Sequence, residues 1–207
     1  RKDAVDPSFA QVYHDVWRIF FTPSPPIAQH IQSEMQNLGL TLGNYISIHL
    51  RALYAVETRD ENLIRWWAQT SINCATSNLT SRINHAPPIL FVSDSIIAKD
   101  EAINYASRQG VPVVHRMHNQ QKQPLHLEKD NSTNIFDYYD TFVDILMIGM
   151  GHCTAYNMGG FGRWGSMISY NSSCNLRMGA TMVACERQTV TTSSLQASLE
   201  TPQSSTP

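Results

Sequence analysis

The chain has 207 residues, 42% of them apolar and 15% charged, which suits one ordinary globular domain long enough to bury a core. Its formal net charge of -2 gives no electrostatic footprint for nucleic acid or an anionic membrane surface. No apolar run reaches the ~18 residues of a membrane-spanning helix. The chain begins with Arg1, as an excerpt would, so any membrane anchor is expected only upstream and a missing leader says nothing.

Residues 1–26 read as an irregular N-terminal segment in which Val12, Tyr13, Val16, Trp17, Phe20 and Phe21 carry a short helical spacing. Pro23, Pro25 and Pro26 interrupt it. Ser24-Pro25-Pro26 then opens a helix, since proline is tolerated in the first turn. Ile27, Ile31, Met35 and Leu38 follow at helical spacing, and Gly39 closes the element. After the turn at Gly43-Asn44, Tyr45 to Arg51 is β-branched, aromatic and almost continuously apolar. That is the pattern of a strand buried on both faces of a parallel sheet.

Thr58 and Glu61 have the spacing of a capping box for a helix running to about Thr76, with Trp67 inward and Trp66 outward. Ile89 to Ser93 is a second strand, ending at Asp94. Ser95 starts a helix to Arg108 that Gly110 terminates, and Val111 to His115 is a third strand. Residues 116–134 form a long polar loop. His115, His118 and His126 lack carboxylates or thiolates arranged with them, so no metal site is assigned. Ile135 to Met150 is an apolar helix, His152 to Tyr156 a fourth strand, and Gly159-Gly160-Phe161-Gly162 leads into a last helix through Ile168. From Gln188 onward Ser, Thr, Gln and Pro predict a disordered tail over 187–207.

The alternation of strands and helices predicts an α/β fold over residues 27–186. The expected form is a Rossmann-like three-layer sandwich with a mostly parallel sheet of about four to five strands. Four cysteines lack the paired spacing of a zinc site. Their even number permits two disulfides, with Cys174 to Cys185 as one loop, and buried free thiols are the alternative. The sequons at Asn78, Asn131 and Asn171 favour a secretory-pathway lumen only slightly.

Ligands of open parallel sheets bind beyond the carboxyl ends of the strands. Arg51, Asp94 and Gly159 to Gly162 fall at three such ends. A guanidinium offers a planar fork to phosphate. A glycine-rich turn opening a helix offers backbone N–H groups to an anion. An acid at a neighbouring strand end takes hydroxyls or amines of a nucleoside. Together they outline a nucleotide-sugar site of Arg51, Asp94, Ser95, Gly159, Gly160, Phe161 and Gly162. Taken singly, Arg51 is more often a solvated strand cap, Ser95 more often a helix cap and the glycines more often a turn.

These segments resemble the nucleotide-binding half of the fucosyltransferase-type GT-B glycosyltransferases, the group of protein O-fucosyltransferases and α-1,6-fucosyltransferases. The matching motifs are His49-Leu50-Arg51, Phe91-Val92-Ser93-Asp94-Ser95, Asp144-Ile145-Leu146-Met147-Ile148-Gly149 and Gly159-Gly160-Phe161, within about residues 40–170. Gly159 and Gly160 replace the family's paired serines, which would leave phosphate contact to backbone amides. A single Arg follows His49, as in the protein O-fucosyltransferases. The partner domain of the acceptor side is not in this chain.

The resemblance implies inverting, metal-independent transfer of fucose from GDP-fucose to a glycan or protein hydroxyl, in the Golgi or ER, with no resident cofactor. Arg51 and His49 would be the catalytic residues. Arg51 would neutralise the departing diphosphate, and His49 would be either a donor to the ligand or a satisfied core histidine. Glu57 and Asp60 are placed to approach the acceptor. The alternatives are a transferase for another sugar nucleotide and a non-catalytic Rossmann-like binding module.

Overall fold

Strand β1 (Ile46–Leu50) is buried at every position and lies in the interior of a six-stranded sheet of order β3-β2-β1-β4-β5-β6. The computed structural model describes residues 9–52, 60–79, 87–116, 134–171, 174–179, 182 and 185–187. The other strands are β2 (Ile89–Ser93), β3 (Val113–Val114), β4 (Cys153–Tyr156), β5 (Leu176–Met178) and β6 (Cys185–Arg187). All neighbours pair in parallel except β5 and β6, which are antiparallel. The register sets Ile46 against Ile89 on one side and Cys153 on the other, so three carboxyl ends finish on one edge. This is an α/β sandwich of the Rossmann type. Its two last strands exceed the expected four to five because they are three residues each, too short for a periodic signal.

Alternation along β1 divides the core. Ile46, Ile48 and Leu50 face helices α3 (Glu61–Leu79) and α4 (Ile96–Arg108), where Ile64, Trp67, Ile72, Ala98 and Ala102 cover them. Tyr45, Ser47 and His49 belong to the opposite face. There α2 (Pro25–Asn37) and α5 (Tyr139–Met150) pack on Tyr45, Leu90 and Val92. Ser47 Oγ donates to the Ile148 carbonyl over 2.9 Å, and the Tyr45 hydroxyl donates to that of Met147. Burying an aliphatic side chain of this kind contributes roughly 1.5–3 kcal/mol, which is why the fully buried strands β1 and β2 are rich in Ile, Leu, Val and Phe.

Local signals set most helix ends. Ser24 precedes α2, with proline in its first turn, and Gly39 takes φ 64° beyond its end while the Leu40 amide bonds the Met35 carbonyl. Gly110, at φ 67°, ends α4 in the same way. Within the N-terminal segment, Phe9–Phe20 forms a 12-residue helix, α1, whose Trp17 meets Trp164 of α6 (Gly160–Met167) edge-on at 5.4 Å. Two expectations need correction. Helix α3 is capped by Asp60, whose Oδ1 accepts the Asn62 amide at 2.9 Å, and it runs on to Leu79. The first turn of the Ile135–Met150 segment is a 3-10 turn (Ile135–Tyr138), opened by Asn134 Oδ1 accepting the Phe136 amide. Thr58, the polar loop from 117 to 133 and the tail from 188 lie outside the described residues.

The cysteines form two disulfides, Cys74–Cys185 and Cys153–Cys174, so the expected Cys174–Cys185 pair and the alternative of free thiols both fail. Cys74 lies on α3 and Cys185 on β6, with Cα atoms 5.7 Å apart, so this bridge ties the antiparallel edge strand to a helix. Cys153–Cys174 joins β4 to the approach to β5. Among the described residues, no helix is long and apolar enough to cross a membrane. The two bridges are compatible with an oxidising compartment.

Loop closure predicts unequal contributions from the bridges, which span 111 and 21 residues. Replacing Cys74 and Cys185 together by Ser should cost about 5 kcal/mol in urea unfolding, and replacing Cys153 and Cys174 about 3 kcal/mol. The reverse order would show that loop closure is not the source of their stabilisation.

Candidate functional site

The chain leaves β1 towards α3 on one face of the sheet and leaves β4 towards α6, which packs with α5 on the other. Adjacent parallel strands whose connections part in this way make a topological switch point, where ligands of such sheets bind. Asn157, directly after β4, spans the opening. Its Oδ1 accepts the Arg51 amide at 2.8 Å and its Nδ2 donates to the Arg51 carbonyl at 3.0 Å. Its own amide bonds the His49 carbonyl at 3.3 Å. The side-chain amide thus imitates a further residue of strand pairing and sets the backbone from which Arg51 projects.

Arg51 and Asp94 sit side by side at the ends of β1 and β2. Arg51 Nε is 3.6 Å from Asp94 Oδ2, while Asp94 Oδ1 accepts the Ala52 amide at 2.7 Å. Asp94 therefore holds the chain as it leaves β1 and also balances the guanidinium. Ser95 is buried and its Oγ accepts the Ala98 amide at 3.3 Å, so its oxygen is engaged in capping α4. Beyond β4, Gly159 adopts φ 86° and is exposed together with Gly160, at the first turn of α6.

Gly162 has a different task from its neighbours. It is buried, and a Cβ there would lie 2.5 Å from His49 Nδ1 and 2.8 Å from Tyr156 Cβ. The missing side chain lets α6 settle onto the His49 ring, whose other contact is Phe161 at 5.1 Å between ring centres. His49 is 4% exposed, and among the described residues its Nδ1 has no hydrogen-bond partner. Burial lowers its pKa from 6.5 to about 4; Asp94 opposes that shift and Arg51 adds to it. At neutral pH the ring is an uncharged donor and acceptor, not a cation.

The structure thus brings Arg51, His49, Asp94 and the Gly159 to Gly162 turn to one edge. Asp60 caps α3, and Glu57 lies outside the described residues, as do His118 and His126. His115 Nδ1 lies 3.0 Å from the Arg116 carbonyl. His152 approaches Cys153 and Cys174, but those sulfurs are bonded to each other and offer no thiolate.

Sequence reasoning missed Asn157, which looked like part of a turn. It also missed a charge network at the end of β3. Arg116, 4% exposed, donates to Asp144 Oδ1 and to Asp140 Oδ1 at 2.7 Å each, and its Nε lies 3.5 Å from Glu34. These bonds lock α2 and α5 to the same edge. Their signal in the sequence is faint, because the partners lie up to 82 positions apart.

Two outcomes follow for the His49–Gly162 contact. Gly162→Ala should destabilise the fold by about 1–3 kcal/mol through overpacking, measured by urea unfolding. Between pH 6.5 and about 4 the unfolded chain binds a proton that buried His49 does not. Its contribution is therefore fully present above pH 6.5 and is lost on acidification through that window. His49→Gln should weaken the dependence of the urea midpoint between pH 7 and 5; an unchanged slope would rule out this origin.

No protein-family model matches this chain, and no curated protein sequence does.

Proposed function

We propose that this chain is the nucleotide-sugar-binding domain of a glycosyltransferase, transferring fucose from GDP-fucose with inversion to a glycan or protein hydroxyl. The observation that carries the reading is the row of groups on one sheet edge. Exposed glycine amides at the end of β4, the Arg51 guanidinium at β1 and the Asp94 carboxylate at β2 lie in consecutive strand positions across the switch point. The amides and Arg51 suit the two phosphates, and Asp94 suits the nucleoside.

In the reaction, the acceptor oxygen bonds to the anomeric carbon as the bond from that carbon to the diphosphate oxygen breaks. The diphosphate departs with the electron pair of the broken bond, and the hydroxyl proton passes to water as the new bond forms. Negative charge grows on the diphosphate, and a fixed guanidinium there stabilises the transition state more than the bound donor. The resemblance implies that the reaction needs no metal. Two disulfides and the sequons at Asn78 and Asn171 support a Golgi or ER lumen as the setting.

One observation favours a second reading, a non-catalytic Rossmann-like binding module. Asp94 already serves both Arg51 and the Ala52 amide, so the pair also makes sense as plain architecture.

Calorimetry with GDP, UDP and ADP on this chain, followed by transfer assays with GDP-fucose on a protein that joins it to its acceptor-side domain, separates the readings. The expected result is GDP binding together with transfer, with turnover reduced roughly 100- to 1,000-fold in Arg51→Lys, which keeps the charge beside Asp94 but loses the planar fork. GDP binding without any turnover would leave the module. No binding of any nucleotide would reject the transferase.

A further inference from the structure

Helix α1 carries more apolar side chains than its contact with α6 covers. At about 3.6 residues per turn they fall into two adjoining stripes. Tyr13 and Trp17 lie on the first and meet Trp164 of α6 with ring centres 6.4 and 5.4 Å apart. Phe21, just past the helix, stacks on Trp17 at 4.5 Å. Val12, Val16, Ile19 and Phe20 line the second stripe, and all four are exposed, from 43% at Val16 to 74% at Phe20. A helix with so wide an apolar arc belongs where it is covered on two sides.

Charge and area decide between the covers such a stripe could take. A membrane surface calls for basic side chains along the polar face. On α1 that face carries Asp15 and Arg18, one charge of each sign, and the whole chain stands at -2. The long stretches 117–133 and 188–207 are polar in sequence and repeat no matching apolar pattern. A second copy fits better. A bared aromatic side chain offers roughly 150–250 Å² and a branched aliphatic one somewhat less, so the four residues leave on the order of 400 Å² on each copy. Two such stripes, with the polar rim that closes around them, would bury roughly 1,000 Å², the size at which a specific interface begins.

Shape sets the direction. Under two-fold symmetry the same patch meets itself. In an antiparallel pair centred on Val16, the small Val12 of each copy lies against the large Phe20 of the other, which fills the contact evenly. A parallel pair would set Phe20 on Phe20 and leave a gap at Val12.

We propose that the Val12–Phe20 stripe of α1 is a self-association surface, on which a second copy of this chain docks with its α1 antiparallel. The pairing is independent of the nucleotide reading. It would brace α6, whose Trp164 rests on Trp17 and whose first turn carries Gly160.

The test is sedimentation of the full chain over roughly 1–100 μM, where an interface of this size associates. The expected result is a mass that rises from monomer to dimer across that range. Phe20→Glu changes an exposed position, so it should keep the wild-type melting temperature while weakening association at least tenfold. Direction is read by mild oxidation, because the described cysteines are already bridged and a new thiol reports on the contact alone. Val16→Cys should cross-link two copies. Val12→Cys should not, since its counterpart lies roughly 12 Å further along the pair. Wild-type protein that stays monomeric throughout overturns the proposal, and so does a dimer that Phe20→Glu leaves intact. Cross-linking of Val12→Cys in preference to Val16→Cys also overturns it. Should Phe20→Glu lower the melting temperature, Ile19→Glu takes its place and decides by the same criterion.

Discussion

The candidate site depends on one contact, the pairing of the Asn157 side chain with the backbone of Arg51. At the switch point β1 and β4 send their chains to opposite faces, and the ladder between them runs out at His49 and Tyr156. Without a further partner the Arg51 peptide would lose both of its hydrogen bonds just where a charged side chain must be aimed. A buried peptide group left unpaired costs about 1–3 kcal/mol, so a primary amide, which presents an N–H beside a carbonyl oxygen, matches the need. Asp94 completes the hold through the next amide, that of Ala52. The guanidinium thus stands on a backbone fixed from both neighbouring strands, which is the preorganisation that binding a charged ligand requires.

The same edge combines two kinds of buried polarity. Arg116 is surrounded by Asp144, Asp140 and Glu34, so its charge is balanced within the fold and ties α2 and α5 to the end of β3. Such a network orients elements more than it adds net stability, because desolvation offsets most of the attraction. His49 is different, since its buried Nδ1 has neither a hydrogen bond nor an ion pair among the described residues, whereas the Arg116 Nε, also without a hydrogen bond, faces Glu34 at 3.5 Å. Unsatisfied groups of this kind concentrate where a fold meets a ligand. His49 lies against Gly162 and Phe161 of α6 at that edge.

Legibility of the fold followed the range of the interactions. The strand limits Ile89–Ser93, the glycine ends of α2 and α4 and the Ser95 cap rest on residues within a few positions of one another, and the sequence displayed them. Helix α1 was undervalued because its aromatic spacing had no visible partner; Trp164, which it meets, is 147 positions from Trp17. Asp60, directly before Glu61, caps α3, a role that the local rule assigns to any Ser, Thr or Asp near the helix start. Gly162 looked like one more phosphate-facing glycine, and only the His49 ring beneath it assigns that residue to packing.

By itself the sequence determined the alternation of strands and helices, the burial of β1 and the placing of Arg51, Asp94 and the glycines at strand ends. These follow from periodicity and turn chemistry, which act over a single element. Tertiary structure decided the order of the strands, the pairing Cys74–Cys185 and Cys153–Cys174, the Asn157 clamp and the surroundings of His49 and Arg116. Each of those joins groups far apart in the chain. Their energies depend on distance and burial in three dimensions, which no local pattern of residues encodes.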